Sequence, residues 1–93
     1  MILTKDSAIE AAKSDLAKRL GVSESEISVE SVTDKDFPDM SLGAPVKDEM
    51  SAQMISGGWQ IDLKGPDGRY EYRADRNQLR LRGFEGSNYV VKG

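Results

Sequence analysis

Three stretches in the second half of the chain alternate strictly between apolar and polar residues, and this alternation constrains the fold more than any other feature. Apolar side chains recur at every second position over residues 59–63, 70–74 and 79–81. A period of two residues is typical of a β-strand that buries one face. Because only short turns separate the stretches, the sequence predicts a three-stranded antiparallel meander over residues 57–82.

The turns of this meander predict its register. The four-residue GPDG turn sets Ile61 opposite Tyr72, and a two-residue turn after Asp75 sets Tyr72 opposite Leu81. Both registers place every large apolar side chain on the same face, as a correct register must. The opposite face then carries the charged side chains Asp62, Lys64, Arg69, Glu71, Arg73, Arg80 and Arg82.

A helix is predicted over residues 5–20, with Thr4 or Ser7 as its cap and Gly21 as its left-handed stop. Its apolar residues recur at spacings of three and four, which gives a narrow stripe that suits packing on a sheet. We therefore expect one helix on the apolar face of the meander. The shared core is predicted to contain Leu16, Leu20, Trp59, Ile61, Leu63, Tyr72 and Leu81.

The segments outside the helix and the meander are less regular. Residues 27–33 alternate with a break near Glu30, which predicts a strand with a bulge, whereas residues 34–56 show no periodicity and are predicted to form one long loop. Residues 83–93 hold apolar side chains between glycines, and we expect this tail to be the least ordered apolar segment. The chain is thus predicted to be one α+β domain over residues 1–93, with an N-terminal helix packed on a four-stranded antiparallel sheet.

The chain has no cysteine and no histidine, and this double absence limits its chemistry. Disulfides, thiolate zinc sites and cysteine nucleophiles are excluded, and the commonest general base is missing. Carboxylates, lysines, arginines and hydroxyls remain, and they catalyse only in more specialised constellations. We therefore expect a protein that is not an enzyme, with no catalytic residue, no cofactor and no bound metal.

The order of helix, strand, loop and meander resembles that of PepSY-like and cystatin-like domains, in which one helix packs across a curled antiparallel sheet. The segment GGWQIDLKGPDGRYEYRADRNQLRL is similar to the PepSY pattern of an aromatic-led strand, a DG turn, a YEY-type strand and an Asp that opens the last turn. This resemblance implies a module that restrains a protease or associates with a larger assembly.

The stretch FPDMSLGAP, residues 37–45, more closely resembles the loop of a family of small prokaryotic domains of unknown function. That loop reads Trp-Pro-Asp, a variable residue, and then Ser-Leu-Gly-Cys-Pro. Here Phe37 stands where the family prefers Trp and Ala44 where it prefers Cys, and a second family cysteine lies near Arg82. The loss of both cysteines together is what a missing disulfide would look like. The oxidising compartment that a disulfide in the relatives would imply therefore does not carry over to this chain.

The FPDMSLGAP stretch is the candidate functional loop, with candidate residues Phe37, Asp39, Ser41, Leu42 and Gly43. In one interpretation Phe37 and Leu42 point inward and plug the sheet; in the other the loop binds a ligand or partner, and the two are compatible. We expect Phe37 and Leu42 to be buried. The side chains expected in water are Asp36, Asp39 and Met40.

The charged face of the sheet offers a candidate binding surface made of Arg69, Arg73, Arg80 and Arg82. In the simpler interpretation this face is solvated and its arginines pair across strands with Asp62 and Glu71. In the functional interpretation it docks an acidic protein, an acidic peptide or an anionic polymer. Nucleic acid is not expected, because the aromatic side chains point to the other face and the net charge is −3.

The acids Asp34, Asp36 and Asp39 raise the question of a calcium site or a catalytic pair. Their spacing lacks the glycine and the distal glutamate of an EF-hand loop, so we interpret them as solvated turn acids. The preferred hypothesis is a monomeric, non-enzymatic binding or regulatory module for an unidentified protein or peptide. The alternative is a small ligand carrier or enzyme that uses the acids of residues 34–39.

The expected compartment follows from what the chain lacks. No apolar run approaches the roughly 18 residues that span a bilayer, so membrane insertion is not expected. The start of the sequence lacks the apolar core of a secretory signal, and cysteines are absent. We expect a cytoplasmic protein; the alternative is an extracytoplasmic domain of a trimmed secreted protein.

Overall fold

The computed structural model describes residues 2–50 and 52–93; Met1, in the predicted domain, and Ser51, in the predicted loop, lie outside the described residues. Helix α1 spans Lys5–Leu20, and a 3₁₀ turn spans Glu24–Glu26. Five strands follow in the described part of the chain: β1 Ser28–Phe37, β2 Ser56–Gly65, β3 Gly68–Ala74, β4 Leu79–Phe84 and β5 Ser87–Lys92.

Helix α1 is capped at both ends. The Thr4 hydroxyl accepts a hydrogen bond from the Ser7 amide at 3.1 Å, and the Ser7 hydroxyl accepts one from the Thr4 amide at 2.8 Å. This reciprocal pair selects Thr4 as the cap and satisfies amides that the first turn leaves without partners. Gly21 ends the helix in the left-handed conformation, with φ 68°. No helix of residues 2–50 and 52–93 is both long enough and apolar enough to cross a membrane.

The order of strands in the sheet follows the order in the chain, and each strand is antiparallel to the next. Ile61 lies opposite Tyr72 and Tyr72 lies opposite Leu81, so both predicted hairpin registers are confirmed. The predicted bulge in the first strand is confirmed too, because the β1–β2 register shifts between Val29 and Ser31.

The prediction of four strands is wrong, because the C-terminal tail adds β5. Glu85 and Gly86 form the turn before it, with φ 51° and 82°. The tail then pairs with β4, and Tyr89 and Val91 pack against the core. The glycines that suggested disorder therefore supply the tight turn that brings the tail back to the sheet.

The first strand also continues past its predicted end. The prediction stopped it at residue 33, whereas β1 extends to Phe37, so residues 34–37 are strand and not loop. These residues lie on an edge strand that is largely exposed, and such a strand does not need apolar alternation to form. Their partners include Gly57 and Gly58, and a Cβ atom on Gly58 would collide with the carbonyl oxygen of Ala74.

The core lies between α1 and one face of the sheet. Five of the predicted core residues are fully buried, and Leu20 and Trp59 are partly buried against the same cluster. The fully buried five are Leu16, Ile61, Leu63, Tyr72 and Leu81. The alternation of the meander and the stripe of the helix therefore meet in one apolar layer, as predicted.

One buried polar contact ties the helix to the sheet. The Tyr72 hydroxyl donates to the Asp15 carboxylate at 2.8 Å, and the same carboxylate oxygen accepts from Arg19 Nε at 2.7 Å. Burial raises the pKa of the Tyr72 hydroxyl, and the hydrogen bond to Asp15 adds to this, so Tyr72 stays a donor. The Arg19 guanidinium also lies 4.5 Å from the centre of the Tyr89 ring, which fixes β5 against α1.

Truncation of a central core side chain tests this register. Ile61→Ala should lower the free energy of unfolding by about 2–5 kcal/mol, because Ile61 has no exposed surface and its loss leaves a cavity. Urea denaturation measures the change, with Val29→Ala on the exposed edge as the control. A loss below about 0.5 kcal/mol for Ile61→Ala would contradict the proposed packing.

Candidate functional site

The 38–50 loop covers the face of the sheet opposite α1. Val32 lies opposite Ile61 and faces the helix, so the alternation of β1 directs Phe37 to the other face. Phe37, Leu42 and Ala44 all have 0% exposure, yet they lie outside the helix-side core cluster. Phe37 and Leu42 are therefore buried, as predicted, but they form a second apolar layer on the charged face.

Side chains of the sheet hold this loop through its carbonyl oxygens. Gln78 Nε2 donates to the Met40 carbonyl at 2.5 Å, and Arg73 Nη1 donates to the Leu42 carbonyl at 2.9 Å. Arg80 Nη1 donates to the next carbonyl but one, that of Ala44, at 3.1 Å. Alternate loop carbonyls thus receive donors as they would in a strand ladder, although the donors are side chains.

Arg80 is a buried cation of this layer, with 5% exposure. Its Nη1 and Nη2 atoms donate to the two carboxylate oxygens of Glu49 at 2.5 Å each, and its Nε donates to Gln78 Oε1 at 2.7 Å. The hydrogen bonds from Arg80 lower the pKa of the Glu49 carboxyl, so Glu49 is the charged partner of Arg80 at neutral pH. A bidentate pair with further neutral acceptors is the arrangement that a buried guanidinium requires.

Asp39 organises the turn at the start of the loop. Its Oδ1 atom accepts hydrogen bonds from the amide and the hydroxyl of Ser41, the former at 2.9 Å, and a longer one from the Gly43 amide at 3.5 Å. The Ser41 hydroxyl contact is the main cause of the lowered pKa of Asp39. Asp39 and Met40 are half-buried, so the prediction that they would be exposed is wrong, whereas Asp36 is exposed as predicted. The loop lies flat on the sheet, and this placement covers them.

Two consecutive residues of the loop have positive φ angles, Leu42 at 58° and Gly43 at 70°. Glycine suits the second position because it adopts a positive φ without steric cost, and a Cβ atom there would force the Arg73 guanidinium to shift. The same guanidinium lies 5.5 Å from the centre of the Phe37 ring. Three of the five candidate loop residues, Phe37, Leu42 and Gly43, therefore lie against Arg73, which sequence reasoning had assigned to a separate surface.

The four candidate arginines divide into two pairs. Arg73 and Arg80 lie beneath the loop, with side-chain exposures of 12% and 6%. Arg69 and Arg82 remain in solvent, where they lie 3.0 Å from Glu30 and 3.8 Å from Glu71. The expectation of one open arginine face is therefore wrong for the first pair, because the loop carbonyls and Glu49 replace water around those guanidinium groups.

The acids of residues 34–39 do not converge on a cavity. Asp34 contacts Lys5 Nζ at 3.3 Å on the helix side, whereas Asp39 lies in the loop on the other side. The largest of three grooves that we describe, about 650 Å³, lies between residues 45–47 and 86–90, and none of the three is lined by Asp34, Asp36 or Asp39. Among residues 2–50 and 52–93, no group of three carboxylates is placed to hold a metal ion.

An exposed apolar segment follows the loop, and sequence reasoning missed it; its described residues are 50 and 52–55, and we call it the 50–55 segment. The side chains of Met50, Met54 and Ile55 are 98%, 63% and 77% exposed. The segment is attached to the loop through the Met40 amide, which donates to the Ala52 carbonyl at 2.9 Å. The sequence feature that could have indicated this segment is a set of three large apolar residues without periodicity, which lies between the charged residues 47–49 and the start of β2.

Comparison with known proteins gives one match. A family model described as a domain of unknown function, DUF8738, matches residues 9–82. The matched range begins within α1, contains the 38–50 loop and the first three strands, and ends within β4. No curated protein and no solved structure matches the chain.

Removal of the Phe37 ring tests its role beneath the loop. Phe37→Ala should lower the free energy of unfolding by about 3–5 kcal/mol, because the ring is fully buried between the sheet and the loop. Urea denaturation measures this, and Asp36→Ala, one residue away and exposed, serves as the control. Equal stability of the two variants would contradict a structural role for the Phe37 ring.

The lowered pKa values of two loop carboxyls predict that the protein loses stability at acid pH. Glu49 and Asp39 have folded pKa values below their ordinary values of 4.5 and 3.8. Their stabilisation is therefore complete above about pH 5 and is lost as the pH falls through the lowered values. Unfolding free energies measured from about pH 7 to pH 2.5 should fall less steeply for Glu49→Gln than for the wild type. Glu10→Gln, on the exposed face of α1, should keep the wild-type slope, and an unchanged slope in Glu49→Gln would contradict the assignment.

Proposed function

The chain belongs to the family of the domain of unknown function DUF8738, and we propose that this protein is a non-enzymatic binding module for another protein or a peptide. One observation carries this proposal: the polar side chains of the candidate loop are engaged in holding it on the sheet, while the apolar segment beside it is exposed. Groups that are fully used inside the fold have no free atoms for catalysis, whereas an exposed apolar segment favours contact with a partner.

The engaged groups are two carboxylates of the loop and one arginine of β3 beneath it. Asp39 caps its own turn, Glu49 pairs with Arg80, and Arg73 holds the Leu42 carbonyl. Within the described residues, no buried side-chain nitrogen or oxygen lacks a hydrogen-bond partner. A catalytic site keeps some polar groups free for substrate, and this supports a binding module over the alternative of a carrier or enzyme based on the acids of residues 34–39.

Contact through the 50–55 segment fits a protein partner. Methionine side chains are flexible and polarisable, and they adapt to partner surfaces of different shape. Met50 is almost completely exposed, and the Arg80–Glu49 pair immediately before it anchors the chain. This arrangement favours binding, because the anchored residues are already ordered and only the exposed apolar side chains lose freedom when a partner binds.

The kind of partner is inferred from resemblance and from the remaining charges. The resemblance to PepSY-like and cystatin-like domains supports restraint of a protease or association with a larger assembly. Arg69 and Arg82 are the two candidate arginines that stay in solvent, so an acidic partner would meet them and not Arg73 or Arg80. In this proposal the protein acts as a monomer and takes up no cofactor.

Charge placed in the apolar segment tests the proposed function. Met50→Asp with Ile55→Asp should leave the free energy of unfolding within about 0.5 kcal/mol, because both side chains are exposed. The double variant should bind a captured and then purified partner at least about tenfold more weakly, as expected when central apolar contacts are lost.

The matched control is Val29→Asp, which changes an exposed apolar residue on the β1 edge before the bulge. Partners are captured from cells with the wild-type protein and their affinities are then measured with purified components. Capture of no partner, or equal affinities for the wild type and the double variant, would contradict binding through the 50–55 segment.

A further inference from the structure

The two edges of the sheet differ in regularity, and β1 is the edge that is regular enough to accept another strand. From Ser31 to Phe37 every β1 residue has a β2 partner in unbroken register. The register between β4 and β5, by contrast, shifts twice, and β5 has only six residues. Short, bulged edges resist pairing with a further strand, whereas a long regular edge presents a template for it.

The β1 edge is also accessible. In the described part of the chain β1 has a neighbouring strand on one side only, and the backbone hydrogen bonds of turns, loops and caps do not reach residues 31–37. The side chains of residues 33–36 are exposed. Alternate N–H and C=O groups of an edge strand point outward, where an added strand can bind them.

The charges on this edge disfavour pairing with a second copy of the same edge. Two β1 strands related by a two-fold axis would pair antiparallel, with same-face residues opposite each other. Centres at Asp34, Lys35 or Asp36 place like charges directly opposite, and centres at Val32 or Thr33 require pairing across the bulge at Glu30, where the regular edge ends. Like charges in direct cross-strand positions are destabilising, so the edge disfavours itself.

The same charges select a different occupant. Asp34 and Asp36 lie on the helix side of β1, and Lys35 between them lies on the loop side. Asp34 already shares its carboxylate with Lys5, whereas Asp36 makes none of the ion pairs found among the described residues, so Asp36 has the larger attraction to offer. A strand with basic, acidic and basic residues in succession would match this order.

We propose that residues 31–37 bind an extended segment of a partner protein, which places basic side chains opposite Asp36 and Asp34 and an acidic side chain opposite Lys35. This inference rests on the proposed binding function and names the surface and the chemistry of the partner. In antiparallel addition the first basic residue faces Asp36, at the end of β1 that carries Phe37. The partner residue before the first basic one then lies opposite Phe37, and we take it as apolar.

The test uses a synthetic eight-residue peptide with the order isoleucine, lysine, glutamate, lysine, threonine, valine between capped polar ends. Titration into ¹⁵N-labelled protein should shift the amide signals of residues 31–37. A peptide with glutamate, lysine, glutamate at the same positions should bind at least about tenfold more weakly, since three cross-strand pairs become repulsive. Asp36→Lys should remove most of this preference, whereas Glu10→Lys, the same charge change on α1, should preserve it.

Equal affinity for the two peptides, shifts confined to β5, or dimerisation of the wild type through β1 would overturn the inference. The same variants separate its failure from failure of the proposed function. If Asp36→Lys binds the captured partner as the wild type does while Met50→Asp with Ile55→Asp does not, the β1 inference is wrong and the binding function stands. If no variant affects the binding of any partner, the proposed function itself is wrong.

Discussion

The second layer of this protein depends on the buried guanidinium of Arg80. A charge that leaves water is unfavourable unless all its donors find acceptors. Gln78, the Ala44 carbonyl and both oxygens of Glu49 supply those acceptors, and two of the three come from the 38–50 loop. If the loop moved off the sheet, the Arg80 guanidinium would lose its acceptors. The loop carbonyls would also lose the side-chain donors that replace water.

The two faces of the sheet are covered by different physical means. On one face α1 contributes shape and apolar area, and a polar chain from Tyr72 through Asp15 to Arg19 helps to orient it. On the other face a loop without internal periodicity is held by side-chain donors, and Phe37 and Leu42 are the large apolar side chains fully buried between the loop and the sheet. A structureless run can cover a sheet only in this way, since its backbone groups have no helix or ladder of their own.

This use of polar groups has a consequence for function. Four charged residues of the loop layer make hydrogen bonds within the fold: Arg73, Arg80, Asp39 and Glu49. What remains outward is the regular edge of β1 and the apolar segment that adjoins its end. Both support the proposed binding function: an edge offers backbone hydrogen bonds with a charge pattern for selection, and an apolar segment offers area.

The sequence alone determined the meander, its two registers, the helix and the first-strand bulge. These elements bury one face, and such burial imposes a local period that residues a few positions apart reveal. The tail was missed as a strand because its glycines signalled disorder and gave no hint that β4 offered a free edge. Only the tertiary structure decided where the arginines went. Charged residues at alternate positions of a strand look the same in the sequence whether they face water or a covering loop. The hydrogen bonds from Arg73 and Arg80 to loop carbonyls join residues 31 and 36 positions apart. The path of that loop depends on those distant contacts, so no local pattern in residues 34–56 reports it.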